Sequence, residues 1–83
     1  MSNAEIEFLH AGYSAGNFSN AYETECLTEA LEPRFGCGVL YLQAFTVGFY
    51  ASYEDHEIPP QDRERWLRAK LAVGGMLEEA GIA

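Results

Sequence analysis

The longest uncharged run in the chain limits its fold most strongly. This run covers residues 35–53, between Arg34 and Glu54, and its most apolar part is residues 39–53. The sequence on either side is polar or acidic and carries apolar faces that need a partner. We therefore expect the central segment, residues 39–53, to be the partner on which the rest of the chain packs.

The central segment has the periodicity of a helix. Its large side chains Leu42, Phe45 and Phe49 recur at i, i+3 and i+7, which is one face of a helix. A neighbouring face consists of small residues, which would let another helix approach closely: Ala44, Gly48 and Ala51. The pattern predicts a central apolar helix.

Two other structures remain open for the central segment. Residues 39–42 could start as a strand, because valine and tyrosine favour strands. A membrane span needs about 20 apolar residues, and Gln43, Thr46 and the acidic pair Glu54 and Asp55 argue against one here.

Helices are predicted on both sides of this segment. The first begins at the capping residue Asn3 and ends near Gly16 and Asn17. Its apolar face comprises Ile6, Leu9 and Tyr13. A second begins at Ser19 or Asn20 and ends near Glu32, because Pro33 cannot extend it.

The last predicted helix begins at Pro60 and ends at the capping residue Gly81. Gly74 and Gly75 weaken it and are expected to kink or break it. Its predicted apolar side comprises Trp66, Ala69, Val73 and Leu77, with Leu67 and Leu71 beside them. With 83 residues, the chain is expected to be a single mostly α-helical domain, residues 1–83, with about four helices bundled around the central apolar helix.

The charge of the chain is unevenly distributed. The formal net charge is −8, from 13 acids and 5 bases, and the whole excess lies within residues 1–57. A surface of this sign repels nucleic acid and anionic membranes and attracts basic partners. The expected partner is a basic nucleic-acid-binding protein or complex, without direct contact to nucleic acid or membrane.

Two groups of carboxylates are candidate partner-binding residues. Glu25, Glu29 and Glu32 form a stripe about 10 Å long on the second predicted helix, with no base in that helix to relieve their repulsion. The second group is the turn that contains Glu54, Asp55 and Glu57. Either group is a binding surface or an ordinary solvated face.

No motif in the sequence predicts catalysis, a cofactor or a metal site. His56 stands among the carboxylates of the predicted turn, but the spacing matches no known metal loop. Cys26 and Cys37 lack the nearby histidine pair of a zinc site. The absence of a recognisable signal peptide leads to a cytoplasmic expectation, in which both thiols are reduced.

Part of the chain resembles the helical-hairpin proteins of the ribosome modulation factor type. The matching order is Gly12-Tyr13-x-Ala15-Gly16, then Asn20-Ala21-Tyr22, then Phe45-x-x-Gly48-Phe49, which together span about half the chain. Ala21 and Phe45 stand where that family has proline and tryptophan. Those proteins are basic and bind ribosomal RNA, whereas this chain is acidic, so RNA binding does not carry over.

The overall profile also looks like that of small acidic inhibitors from phages and mobile elements, of the anti-CRISPR or antirestriction type. The likeness lies in size, charge and missing catalytic motifs, and it transfers no functional residue. It implies a non-enzymatic inhibitor that presents carboxylates to a basic partner in competition with nucleic acid. The alternative is a homodimeric structural or assembly subunit whose acidity serves only solubility, and a small metal-dependent enzyme is a third hypothesis.

Overall fold

A computed structural model describes residues 1–18 and 38–82 of the chain. These residues form three α-helices, α1 (Asn3–Phe18), α2 (Gly38–Phe49) and α3 (Pro60–Glu79), and a 3-10 turn, Asp55–Glu57. The mostly helical class is confirmed. About four helices were predicted, and the described part of the chain contains three. The second predicted helix falls on residues 19–37, which lie outside the described residues.

The central segment is helical, as its periodicity predicted. Helix α2 begins at Gly38, so the alternative of a strand at residues 39–42 is wrong. Burial explains the choice, because Leu42 and Phe45 lie three residues apart and are only 7% and 4% exposed, which a strand facing one core could not achieve. Thr46 is also buried, and its hydroxyl donates to the Leu42 carbonyl at 2.9 Å. A polar group in the core is therefore satisfied within the helix.

Helices α1 and α2 pack through glycines at unusually short range. A Cβ on Gly12 would lie 2.2 Å from the carbonyl oxygen of Tyr41, and one on Gly16 would lie 2.3 Å from that of Phe45. From the other side, a Cβ on Gly48 would lie 2.3 Å from the carbonyl oxygen of Tyr13. The glycine hydrogens thus face carbonyl oxygens, as in the weak Cα–H···O contacts of close helix pairs.

The same contacts set the direction of the two helices. Gly12 lies against Tyr41, and Gly16, one turn later, lies against Phe45, one turn later in α2. Both helices therefore run in the same direction. Helix α1 extends to Phe18, one residue beyond the predicted end near Gly16 and Asn17. Gly16 is used for close helix packing and does not terminate the helix.

Helix α3 returns antiparallel to α2 and closes the core. Its buried face comprises Trp66, Ala69, Val73 and Leu77, as predicted. Near the chain reversal, Trp66 packs with Tyr50 and Ile58. At the other end, Val73 and Leu77 pack with Leu9 of α1 and Ala44 of α2. All three helices therefore meet in one core.

The prediction that Leu67 and Leu71 lie beside the apolar side of α3 is wrong. Leu67 is 47% exposed and Leu71 is 88% exposed. The core stripe through Trp66 and Val73 occupies one side of the helix, and at about 100° per residue Leu67 and Leu71 fall on the opposite side.

The helix ends are fixed by backbone and side-chain hydrogen bonds. Ser2, not the predicted Asn3, caps α1, because Ser2 and Glu5 exchange two bonds: Glu5 N–H donates to Ser2 Oγ at 3.2 Å, and Ser2 N–H donates to Glu5 Oε1 at 3.0 Å. Serine followed three residues later by glutamate is a capping box. The sequence carries this signal as Ser2-x-x-Glu5.

The predicted ends of α3 are confirmed. The helix begins at Pro60, and Gly81 adopts a φ of 73° after its last turn. Gly81 N–H donates to the Glu78 carbonyl at 3.0 Å and Ile82 N–H to the Leu77 carbonyl at 2.9 Å, which is a Schellman motif. The expected break at Gly74 and Gly75 is absent from α3, which runs through both.

Candidate partner-binding surface

The acidic turn that joins α2 to α3 is ordered by its own carboxylates. Glu54 N–H donates to Glu57 Oε1 at 2.8 Å, and the Glu54 side chain accepts from the Glu57 backbone, which completes a reciprocal capping box. Glu54, Asp55 and Glu57 are all exposed. The turn therefore holds three carboxylates at the surface on a backbone of defined shape.

Contacts with α3 anchor this turn to the rest of the domain. Arg63 Nη2 donates to the Asp55 carbonyl at 2.6 Å. Directly after the turn, Ile58 is only 1% exposed, so its side chain fixes the turn to the core. Pro59 and Pro60 then lead into α3 and restrict the backbone further.

Aromatic rings lie directly before the acidic turn. Tyr50 contacts Phe49 at a ring-centroid distance of 4.9 Å and Tyr53 at 5.2 Å, both edge to face. The Tyr50 ring is 3% exposed, and its hydroxyl donates to Asp62 Oδ2 at 3.0 Å. Tyr53 is 42% exposed, so it is the tyrosine of this cluster that could contact a partner beside the carboxylates.

The histidine of the turn stands beside one of its glutamates. His56 Nδ1 lies 3.4 Å from Glu54 Oε2, and both side chains are exposed, so the pair is open to solvent screening and contributes little to stability. Among residues 1–18 and 38–82, no cluster of three or more histidine, cysteine, aspartate or glutamate side chains is arranged to hold a metal ion.

The other predicted carboxylate group cannot be placed relative to this turn. Glu25, Glu29 and Glu32 lie within residues 19–37, outside the described residues. Cys26 and Cys37 fall in the same stretch. The described candidate surface is therefore the acidic turn, Glu54, Asp55 and Glu57.

Sequence reasoning missed a second exposed surface on α3. Leu67 and Leu71 point away from the core, and on the same side a Cβ on Gly74 or Gly75 would meet nothing within 4 Å. The missed signal was the four-residue spacing of Leu67 and Leu71, which is out of phase with the stripe from Trp66 to Leu77.

The basic residues of α3 largely engage neighbours on their own helix or turn. Arg68 forms an i,i+4 ion pair with Glu64, and Lys70 Nζ lies 4.4 Å from the Trp66 ring centroid, a cation–π contact. Arg68 and Lys70 are thus each engaged with a neighbour on α3 itself.

Comparison of the chain with protein-family models, curated proteins and solved structures finds no match. Within the described ranges, no helix combines the length and apolar character needed to span a membrane.

Proposed function

We propose that this chain is a non-enzymatic acidic interaction protein, an inhibitor of the anti-CRISPR or antirestriction type. It presents carboxylates to a basic nucleic-acid-binding partner in the cytoplasm and competes there with nucleic acid. The observation that carries the proposal is the acidic turn, where Glu54, Asp55 and Glu57 are exposed on a backbone that a capping box and Arg63 hold in place.

The shape of the turn supports a binding role because little order has to be gained on association. Fixing a mobile side chain or loop at an interface costs about 0.5–1.5 kcal/mol for each rotamer-rich side chain. The reciprocal capping box and the buried Ile58 already restrict this segment. An arginine-rich groove would meet carboxylates in a defined arrangement, and arginine binds carboxylates through paired hydrogen bonds.

The net charge of −8 supports the same proposal through long-range attraction. A field of one sign speeds encounter with a partner of the opposite sign and suppresses binding to nucleic acid. The proposal extends to Glu25, Glu29 and Glu32. On a helix, their spacing would add a stripe of carboxylates for the basic groove in which the partner binds nucleic acid.

The partner is to be captured by pull-down from host lysate and identified by mass spectrometry. The purified partner is then titrated with the wild type and with two triple variants at low and high salt. One variant carries Glu54→Gln, Asp55→Asn and Glu57→Gln, and the other carries glutamine at positions 25, 29 and 32. Because the Debye length falls from about 10 Å at 0.1 M to about 3 Å at 1 M salt, we expect binding to weaken with salt.

A matched control separates the site from the overall charge. The control variant carries Glu7→Gln, Glu78→Gln and Glu79→Gln, which removes the same number of exposed carboxylates away from the turn. All titrations are run where each variant has the same oligomeric state. We expect the turn variant to lose far more affinity than the control, mostly through a slower on-rate. Equal affinities for all variants, without salt dependence, would contradict the inhibitor proposal and favour the assembly-subunit alternative.

A further inference from the structure

The outer side of α3 carries an apolar stripe that residues 1–18 and 38–82 leave exposed. The residues on this side follow one another at spacings of three or four: Leu67, Leu71, the pair Gly74 and Gly75, and then Glu78. Leu71 is 88% exposed, and the space where Cβ atoms of the two glycines would lie is open. We call Leu67, Leu71, Gly74 and Gly75 the α3 outer stripe.

The charge order along α3 opposes the dipole of the helix. Residues 60–70 carry four bases and two acids, a net charge of +2, whereas residues 71–79 carry only Glu78 and Glu79. The last turn contains no base. A helix is stabilised by acids at its N-terminus and bases at its C-terminus. The charge order of α3 is therefore unfavourable for the isolated helix, and only Asp62 in the first turn opposes this trend.

An antiparallel copy of the same helix corrects this arrangement. It brings the acidic end of each α3 beside the basic end of the other, and it also opposes the two helix dipoles. A twofold axis at Leu71 places Leu67 of one copy over Gly74 and Gly75 of the second copy. The missing Cβ atoms there allow close approach, within the 8–10 Å interaxial distances of packed helices. Arg63 of each copy is then level with Glu79 of the other along the helix axis.

From this complementarity we propose that the α3 outer stripe is a self-association surface, on which a second copy of this chain packs antiparallel across a twofold axis. The contact is isologous, because the same residues serve both partners. The surface adjoins the acidic turn through Arg63, which binds the Asp55 carbonyl, but the inference rests on the α3 outer stripe and does not depend on the proposed function. Two copies would present two acidic turns on one particle.

An anionic membrane is a less suitable occupant for the same stripe. Arg63, Arg68 and Lys70 flank the leucines and could attract lipid headgroups. The chain as a whole carries a net charge of −8, which repels a surface of the same sign, and Glu64 and Glu78 lie on the stripe side of the helix. A second copy brings the basic half of each α3 beside the acidic half of the other. In this register Glu64 of one copy faces Glu78 of the other, and Arg68, which pairs with Glu64, is the neighbouring base.

Self-association is measured on the purified full chain by analytical ultracentrifugation from about 1 μM to about 1 mM, without any partner. We expect the mass to rise from one chain to two across this range. Leu71→Gln should weaken the dimer about tenfold or more. The control is Ala72→Gln, which adds the same side chain about 100° around α3 and should leave the dimer unchanged.

Gly75→Leu provides a second test that cannot be confused with unfolding. Its side chain enters open space and has a better helix propensity than glycine, so the helix signal in circular dichroism should persist or rise. The added bulk blocks close approach, so the dimer should dissociate. A chain that stays monomeric at every concentration would overturn the proposal, as would a dimer that both variants leave intact. Binding of a monomeric chain to phosphatidylserine vesicles would assign the stripe to a membrane instead.

Discussion

Gly48 lies so close to Tyr13 that a Cβ added to Gly48 would stand 2.3 Å from the Tyr13 carbonyl oxygen. Gly12 and Gly16 make the reciprocal approach from α1 to backbone atoms of α2. The obstructing atoms belong to the main chain of a helix, which cannot move aside as the end of a flexible side chain could. The packing of α1 on α2 therefore requires glycine at these positions.

Gly48→Ala should destabilise the protein although alanine is the better helix former. Relief of the clash requires the two helices to separate, and overpacking of this kind costs about 1–3 kcal/mol. The matched control, measured at a concentration where the chain is monomeric, is Gly75→Ala in α3, where the added methyl meets open space and should stabilise by about 0.5–1 kcal/mol. Urea unfolding measures both changes. If both variants changed the unfolding free energy in the same direction, the close packing of α1 on α2 would be contradicted.

The two phenylalanines of α2 should contribute unequally to stability. Phe45 is 4% exposed, so Phe45→Ala should cost about 3–5 kcal/mol. Phe49 is only half-buried, and although it packs beside Tyr50, Ile58 and Trp66, Phe49→Ala should fall below that range. Chemical denaturation of the two variants tests the order, and a larger loss for Phe49→Ala would show that the core lies elsewhere.

Tyr50→Phe should measure how much one hydrogen bond between the chain reversal and α3 contributes to stability. The change keeps the buried ring and removes the hydroxyl that donates to Asp62 at 3.0 Å. The expected loss is about 1–2 kcal/mol, toward the low end for a charged acceptor because the pair is part-buried. Tyr53→Phe removes a hydroxyl from a ring that is 42% exposed, and it should change the unfolding free energy little. Equal changes of the unfolding free energy in Tyr50→Phe and Tyr53→Phe would argue against the Tyr50–Asp62 hydrogen bond.

Stability should fall in acid partly through Glu5. A backbone hydrogen bond from Ser2, together with the Ser2 side chain, lowers the pKa of Glu5 below its ordinary value of 4.5. Because the folded chain holds this carboxyl at a lower pKa than the unfolded chain, the interaction stabilises above pH 4.5 and is lost as the pH falls through the folded value. Glu5→Gln should therefore reduce the fall in thermal midpoint between neutral pH and pH values below 4.5.

Direct titration provides the complementary measurement. Carbon-detected NMR of the Glu5 carboxyl should give a pKa below 4.5 in the wild type, and Ser2→Ala, which removes the hydroxyl, should raise it. An unchanged pKa in Ser2→Ala would contradict a contribution from the Ser2 side chain.

The elements that repeat a clear apolar period were predictable from the sequence. The stripe from Trp66 to Leu77 and the helical face of Leu42 and Phe45 both agree with the structure, because burial on one side of a helix imposes that period. The extension of α1 was not predicted, since glycine near the end of a helix commonly stops it. Whether Gly16 stops a helix or contacts another depends on α2, and local sequence does not contain that information.

The candidate site was predictable in composition but not in form. The sequence placed Glu54, Asp55 and Glu57 in a polar turn, and the structure agrees. It did not reveal that Glu54 and Glu57 hold each other in a capping box, or that Arg63 binds the Asp55 carbonyl. These bonds depend on the angle at which α3 follows the turn, which is set by the packing of Ile58 and Trp66.

The parallel arrangement of α1 and α2 has a consequence for the order of folding. Gly12 meets Tyr41 across about 29 residues of chain, whereas Tyr50 meets Trp66 across about 16, and closing the longer loop is entropically more costly. Local contacts generally form earlier, so we expect the α2–α3 hairpin to be structured in the transition state and α1 to dock late. Loss of the glycine contacts would then act mainly on the unfolding rate. The interface between α1 and α2 would therefore determine how long the native state persists more than how fast it forms.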